Sequence, residues 1–298
     1  MKRIYNILTI ALMAFASSCN DYLETKPGDK YDDVAVWSDQ TLAESFVFNI
    51  YMGIPYPFQW YVNASLVDEA IPVQNDGVVT RVLTSTMTPD DKGVFVDNWA
   101  YAMNNWWWND LFSCIRACNL FFEKVSDIPF TTEKYRDRLV GEVHFLRGYF
   151  YYLLLAQYGG VPLLDYTFNI GDDYNVPRNT LKETVDFIVK DLDQAAGLLR
   201  ESQPADKTRA TEGAALALKS RVLLYAASDL FNSKASWSPG YSNPELVSYT
   251  DDNRQQRWEA VRQATEAVMN LGYKLYDADA DRVTNFANIF LKNSDEQI

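Results

Sequence analysis

The chain has 298 residues and a formal charge of −13, with 40 acidic and 27 basic side chains. A surface this acidic argues against nucleic acid as a partner and against electrostatic binding to anionic lipid. The length allows a substantial hydrophobic core, whereas one histidine and three cysteines are too few for a metal centre built from those residues.

The N-terminus has the pattern of a secretory signal. Lys2 and Arg3 precede an apolar run, residues 4–16, that is too short to span a bilayer as a stable helix. Small residues then lead directly into Cys19, which resembles a bacterial lipobox, and more than one acyl chain on that cysteine would give a lasting anchor. We therefore predict a lipoprotein signal peptide over residues 1–18 and a lipid anchor at Cys19. The alternative is cleavage elsewhere, with Cys19 incidental.

The rest of the chain is predicted to be mostly α-helical. Six helical segments are expected, the first three from apolar residues at spacings of three and four: 40–52, 104–125, 133–158, 180–199, 209–230 and 255–271. Thr180 and Glu183 form a capping box at the start of the fourth segment, and the Gly-Gly-Val-Pro stretch at 159–162 ends the third. Long aromatic-rich loops join the helices, and such loops are where function tends to lie.

A weak internal repeat relates two of the predicted helix pairs. With an offset of 72 residues, segment 145–154 aligns with 217–226, so that Gly148 falls on Ser220. The same offset aligns three further apolar positions: Val189, Leu192 and Ala195 with Val261, Ala264 and Ala267. Small residues where helices cross are typical of tetratricopeptide-type pairs, which usually repeat every ~34 residues. The longer offset here predicts a helical repeat with lengthened connections.

Two sequence features that could indicate cofactors receive structural interpretations. Cys114 and Cys118 lie on one helical face and are predicted to be buried free thiols, because a disulfide at this spacing would strain a helix. Asp277, Asp279 and Asp281 alternate as at the start of a calcium-binding loop. Arg282 and Asn288 occupy the positions that an EF-hand gives to glycine and glutamate, so a solvated loop is favoured. No metal or other cofactor is expected.

Four blocks of sequence resemble the successive signatures of one family: WNDLFSCIRACNLFFEKV (108–125), GEVHFLRGYFYYLLLAQYGGVPLL (141–164), PRNTLKETVDFIVKDLDQAAGLL (177–199) and TRATEGAALALKSRVLLYAAS (208–228). They look like those of SusD/RagB-type nutrient-binding outer-membrane lipoproteins of Bacteroidota, in the family's order and after its typical CNDYLETKP start. Residues 19–298 are thus identified as a SusD-like helical domain, incomplete at its C-terminus because family members usually continue further. His144 stands where the family more often has arginine, which puts a family salt bridge at that position in question.

This resemblance implies a mostly α, tetratricopeptide-like helical repeat scaffold with long aromatic-rich loops, lipid-anchored and exposed on the outer membrane. Its relatives bind oligosaccharide, or in some members peptide, without catalysis and deliver it to a SusC-like TonB-dependent transporter. Binding a glycan needs flat aromatic faces for the C–H side of the sugar and amide or carboxylate groups for its hydroxyls.

The candidate ligand residues are therefore aromatic and polar residues of the loops. We select nine: Trp99, Asn98, Trp60, Tyr61, Arg81, Asn75, Trp106, Trp107 and Trp237. Trp99, with Asn98 beside it, is the leading candidate. Trp108 begins a family block and is predicted to be structural. Each candidate could instead pack its own loop or meet the transporter.

Two other functional classes remain open. A glycosidase would need two facing carboxylates, one with a raised pKa, but no motif singles out such a pair among the 40 acidic residues. A scaffold that binds only protein would be compatible with helical repeats and aromatic loops. A response of tryptophan fluorescence to soluble glycans would distinguish the protein-only scaffold from a glycan-binding protein.

Overall fold

The computed structural model describes residues 33–54, 84–86, 106–202, 208–234, 236–237, 239–274 and 276–291. This part of the chain consists of helices, turns and irregular segments, with no strand. The α-helices are α1 (Asp33–Trp37), α2 (Gln40–Tyr51), α3 (Leu111–Lys124), α4 (Glu133–Tyr158), α5 (Leu181–Glu201), α6 (Glu212–Ala227), α7 (Arg254–Met269) and α8 (Arg282–Leu291). A π-helical turn, Trp106–Asp110, leads into α3.

All six predicted helices are present, and their ends follow from local capping. The predicted capping box forms at α5, where Thr180 Oγ1 accepts from the Glu183 backbone and the Glu183 side chain accepts from the Thr180 backbone. Helix α6 begins later than predicted because Thr211 caps it, accepting from the backbone N–H of Ala214. Helices α1 and α8 were not predicted. The Asp-rich segment before α8 is an exposed loop, as predicted, and its last aspartate, Asp281, accepts from the backbone N–H of Thr284 in the first turn of the helix.

The internal repeat corresponds to packed helix pairs, α4 with α5 and α6 with α7. A Cβ placed on Gly148 of α4 would lie 3.1 Å from Leu192 Cδ2 of α5, so glycine allows these helices to approach closely. At the equivalent crossing, the hydroxyls of Ser220 on α6 and Thr265 on α7 are 2.7 Å apart. Because α5 also packs on α6, the two pairs form one continuous helical layer.

Helix α4 lies at the centre of the core and is covered on most sides, as its sequence predicted. Its apolar residues Leu139, Leu146 and Phe150 have no exposed area, and they pack with Ile115 of α3 and Ile188 of α5. Continuous burial along a helix of 26 residues gives the scaffold a rigid axis. The loops that follow α4 and α6 are attached to this axis.

A cluster of buried ion pairs joins α2, α4 and the start of α6. Arg209 donates to Glu142 Oε2, with Nη2 at 2.5 Å, and to Glu44 Oε1 at 2.5 Å. Arg138 pairs with the same two carboxylates at 3.3 and 2.9 Å. The Tyr51 hydroxyl donates to Glu142 at 3.2 Å. Glu142 has no exposed area, so these donors compensate for a carboxylate removed from water.

A second buried network connects α3, α4 and α5. Arg147 forms two hydrogen bonds of 2.7 Å with the carboxylate of Asp191 and one of 2.8 Å with Asn119 Oδ1. His144 Nδ1 lies 2.8 Å from Asp191 Oδ1, so this position keeps a polar link to α5 although it lacks the family's arginine. The ring of His144 also packs on Phe122, 4.4 Å between centroids. The network fixes Asn119, which in turn holds the loop after α4.

The two cysteines of α3 are free, as predicted; Cys118 is buried and Cys114 half-buried. Burial raises the pKa of the Cys114 thiol to about 11, so both thiols serve as packing groups rather than nucleophiles. Within the described ranges, no helix is long and apolar enough to cross a bilayer.

Candidate functional site

Six of the nine predicted ligand residues lie outside the described residues, as does the predicted lipid anchor Cys19. The six are Trp60, Tyr61, Asn75, Arg81, Asn98 and Trp99. Their roles stay predictions. The described structure defines the helices that precede and follow these residues in the chain, α2 and α3.

The three consecutive tryptophans lie at the entry to α3. The backbone of Trp106 and Trp107 belongs to the π-helical turn, and their side chains are outside the description. Trp108 packs against Phe112 and Tyr158, with ring centroids 4.9 and 5.1 Å apart. This confirms its predicted structural role, because the ring fastens the start of α3 to the end of α4.

Trp237 is exposed, with 68% of its surface accessible. It lies in the connection between α6 and α7, which two 3₁₀ turns, Leu230–Asn232 and Pro244–Leu246, support. The side-chain amide of Asn232 donates to the carbonyls of Ala226 and Ser228, at 2.8 and 2.7 Å, and so fastens the connection to the end of α6. An accessible indole on a supported loop suits contact with a ligand or with a partner protein.

An open depression with a volume of about 780 Å³ lies along the outer face of α7. Trp258, 42% exposed, is its aromatic residue, and the remaining lining is polar: Asp252, Asn253, Gln255, Gln256, Glu259, Arg262 and Gln263, with Ala260. Arg262 Nη2 pairs with Glu259 Oε1 at 2.6 Å, and this hydrogen bond lowers the pKa of Glu259 to about 2. The carboxylate is therefore ionised at neutral pH and cannot act as a general acid.

Among the carboxyl groups that the structure describes, that of Glu142 has the environment nearest to that of a glycosidase acid. Its pKa is raised, chiefly by burial, against the opposing influence of Arg209 and Arg138. It is wholly buried and its oxygens are occupied by arginine and Tyr51 donors, so a substrate cannot reach it. Its environment is that of a structural ion pair. Among the described residues, no group of three or more His, Cys, Asp or Glu side chains is arranged to hold a metal ion.

The Asp-rich segment before α8 forms local hydrogen bonds. Asn285 donates to Asp277 Oδ1 at 3.2 Å and to the carbonyl of Asp279, and Asn288 donates to Asp279 Oδ2 at 2.6 Å. Its acidic side chains therefore help to order the first turns of α8. The segment is a loop in which Asp277 and Asp281 are exposed, as predicted.

One exposed aromatic cluster was missed by the sequence analysis. Tyr166, Phe168 and Tyr174 belong to the connection between α4 and α5 and contact one another. The signal that could have revealed them is the stretch DYTFNIGDDYN (165–175), where aromatic and acidic residues follow the helix-ending glycines without helical periodicity.

Comparison with known proteins identifies the scaffold. Residues 21–224 match the model of a SusD-like family described as starch-binding and associating with the outer membrane. A SusD-like protein of Formosa agariphila is 24% identical over 206 residues, which cover 65% of this chain and 38% of that protein.

Solved structures show the same fold. A SusD-like protein of Bacteroides fragilis is 31% identical, with a TM-score of 0.58 over 85% of this chain and 42% of the other. A SusD-like carbohydrate-binding protein of the same species, 19% identical, superposes with a TM-score of 0.52 over 82% of this chain and 42% of its own. The chain thus spans about two fifths of the length of these relatives.

The match to the family model covers most of the chain, and the helices superpose on those of a solved SusD-like protein. The chain belongs to the SusD/RagB family.

Proposed function

We propose that this protein captures oligosaccharides at the cell surface without chemical conversion and delivers them to a SusC-like TonB-dependent transporter. A lipid on Cys19 holds it at the outer membrane. The observation that carries the proposal is the match of residues 21–224 to a family described as starch-binding and associating with the outer membrane. Specificity then depends on the loops, because members of one fold family differ in what they bind.

The described structure supports a role in binding. The central helix α4 is rigid and buried, and exposed aromatic residues lie on connections or on the outer helix face, notably Tyr174, Trp237 and Trp258. Aromatic rings can cover the C–H side of a sugar, and neighbouring amides and carboxylates can hydrogen-bond its hydroxyl groups. The carboxyl group of Glu142 is inaccessible and that of Glu259 is ionised at neutral pH, so neither gives support to hydrolysis.

A protein-only scaffold is the second candidate, and one observation favours it. Val283, Phe286 and Leu291 of α8 expose 76%, 66% and 79% of their surface. Several large apolar side chains exposed on one short helix are typical of a surface that another polypeptide covers. Peptide capture, as in RagB-type relatives, would use the same loops as glycan capture with a different lining.

Tryptophan fluorescence separates these possibilities. The mature chain, residues 19–298 with Cys19→Ser, is titrated with neutral oligosaccharides and with peptides. We expect a saturable change with one class of glycan. In calorimetric titrations with that glycan, Trp99→Ala should bind weakly, whereas the matched control Trp99→Phe, which keeps an aromatic face, should largely retain the affinity. A response to peptides alone would show that the ligand is a peptide. No response to either class would favour the protein-only scaffold.

A further inference from the structure

The connection between α4 and α5 displays three aromatic side chains as one cluster, which we call the aromatic ledge: Tyr166, Phe168 and Tyr174. Phe168 is in the middle, with its centroid 5.2 Å from that of Tyr166 and 5.0 Å from that of Tyr174. Phe168 is half-buried, whereas the two tyrosines are 45% and 62% exposed. Both tyrosine rings are therefore supported from behind and open to solvent.

The base of the ledge is fastened to α3 by side-chain hydrogen bonds. The amide of Asn119 donates to the carbonyls of Leu164 and Tyr166, both at 3.0 Å. Glu123 accepts from the backbone N–H and the hydroxyl of Thr167, at 2.7 and 2.8 Å. Asn119 is itself held by the buried arginine network, so the loop inherits the rigidity of the core.

The tip of the ledge is closed by its own hydrogen bonds. Asp172 Oδ2 accepts from the backbone N–H of Asn169 at 2.6 Å, and the Tyr174 hydroxyl donates to the Asn169 carbonyl at 3.0 Å. Gly171, with φ of 98°, supplies the left-handed residue that this turn needs. The ring of Tyr174 is thus fixed in orientation although most of its surface faces water.

Rigid presentation of exposed aromatic rings indicates a binding surface. The tyrosine rings expose large apolar faces on a surface where folding does not require them. Fixing side chains before binding lowers the conformational entropy that a ligand must overcome, and tyrosine offers a large contact area with few rotatable bonds.

The charge of the ledge restricts the class of ligand. Segment 161–177 contains Asp165, Asp172 and Asp173 and no basic residue. The next residue, Arg178, is exposed, but its guanidinium is engaged by the end of α4, because it donates to the carbonyls of Gly160 and Tyr158 at 2.7 and 2.6 Å. An anionic ligand would therefore be repelled, whereas carboxylates accept hydrogen bonds from hydroxyl groups.

We propose that the aromatic ledge is a second carbohydrate-binding site that takes a neutral oligosaccharide, an inference that rests on the proposed glycan-binding function. The exposed faces of Tyr166 and Tyr174 cover the apolar faces of sugar rings, and the carboxylates of Asp172 and Asp173 accept from sugar hydroxyls. Each carboxylate accepts one backbone N–H in the tip and has further lone pairs for a ligand. The ledge includes none of the predicted ligand residues Trp60, Trp99 and Trp237.

The test compares paired variants of the mature chain with Cys19→Ser. Calorimetric titrations use maltohexaose and laminarihexaose as neutral probes, an oligogalacturonate as an anionic probe and oligolysine as a cationic one. We expect Tyr166→Ala to bind the preferred neutral glycan about tenfold more weakly, whereas Tyr166→Phe binds like the parent, because stacking needs the ring face and not the hydroxyl. Equal unfolding transitions of the two variants verify that both fold.

A positional measurement separates the ledge from any other site. With 3-fluorotyrosine placed at position 166, saturating neutral glycan should shift the fluorine resonance, also in a Trp99→Ala background. The same label at Tyr273, an exposed tyrosine beyond the end of α7, should stay unchanged. Glycan binding with an unmoved resonance and equal affinities for the two variants would overturn the ledge and leave the proposed function standing. No heat with any glycan would overturn both. Binding of oligolysine alone, abolished by salt, would make the ledge a site for cationic polypeptide and overturn its assignment to sugar.

Discussion

Arg209 joins two carboxylates across the scaffold, so Arg209→Ala tests how the fold tolerates a buried charge deprived of its partner. The guanidinium donates to Glu142 from Nε at 2.9 Å and from Nη2 at 2.5 Å, and to Glu44 from Nη1 at 2.5 Å. It also lies 4.3 Å from the ring centroid of Phe48. Without it, Glu142 keeps only Arg138 and the Tyr51 hydroxyl as donors.

The expected loss in the free energy of unfolding is about 3–5 kcal/mol, the usual result of removing one partner of a buried pair. Arg136→Ala is the matched control on α4, because Arg136 pairs with Asp137 at 3.0 Å and its side chain is 47% exposed. Surface pairs of this kind contribute at most about 1 kcal/mol. The measured quantity is the difference between the losses in the free energy of unfolding caused by Arg209→Ala and by Arg136→Ala.

The pH dependence of the loss can be derived from the same geometry. Burial raises the pKa of Glu142 above its ordinary value of 4.5, and Arg209 opposes that rise. Removing Arg209 therefore raises the pKa further. A carboxyl group whose folded pKa lies above its unfolded pKa contributes stability below the unfolded value and loses it as pH rises through the folded value. The deficit of Arg209→Ala should thus shrink on acidification from neutral pH to about pH 5.

Urea unfolding followed by far-ultraviolet circular dichroism gives the free energies for parent, variant and control. The reasoning about buried pairs is refuted if Arg209→Ala loses no more stability than Arg136→Ala. It is also refuted if the deficit grows as the pH falls. Unchanged slopes against urea would show that the unfolded states are comparable.

Three further predictions follow from particular contacts. Gly160→Ala should destabilise the protein by about 1–3 kcal/mol, because the new Cβ would lie 2.1 Å from a backbone oxygen. Gly197→Ala should stabilise it by about 0.5–1 kcal/mol, because this helical site has open space around it. Thermal unfolding of both variants checks the two expectations. Asp191→Asn should cost about 3–5 kcal/mol at neutral pH by unpairing Arg147. Burial acts to raise the pKa of Asp191, but the arginine and histidine hydrogen bonds hold it below 3.8, so the parent loses this stability as pH falls below that value and acid unfolding should be less steep in the variant. Cys19→Ser should abolish incorporation of labelled palmitate and release the protein from membranes, and labelling equal to the parent would contradict the predicted anchor.

The candidate site was only partly predictable from sequence. Trp108 could be assigned a structural role because it begins a sequence block of the family, and its contact with Tyr158 agrees with that role. The aromatic ledge could not be predicted, because aromatic residues in a loop do not show from sequence which ring faces solvent. That depends on Asn119 and Glu123, more than forty residues earlier, which fasten the loop.

Local physics in the sequence determined the helices of this protein. Side-chain caps such as Thr180 with Glu183, apolar spacing along α4 and helix-ending glycines act within a few residues of one another, so a reader of the chain can find them. The repeat was also visible, since small residues recur where helices must approach closely.

Only the tertiary structure decided which charges are buried together. Glu44, Glu142 and Arg209 are far apart in the chain, and no sequence pattern indicates that they meet. Long-range pairs depend on how helices cross, which packing of the whole core determines. The same holds for His144, which occupies a position where the resemblance predicts arginine. It still contacts Asp191, because α4 and α5 bring the two residues together.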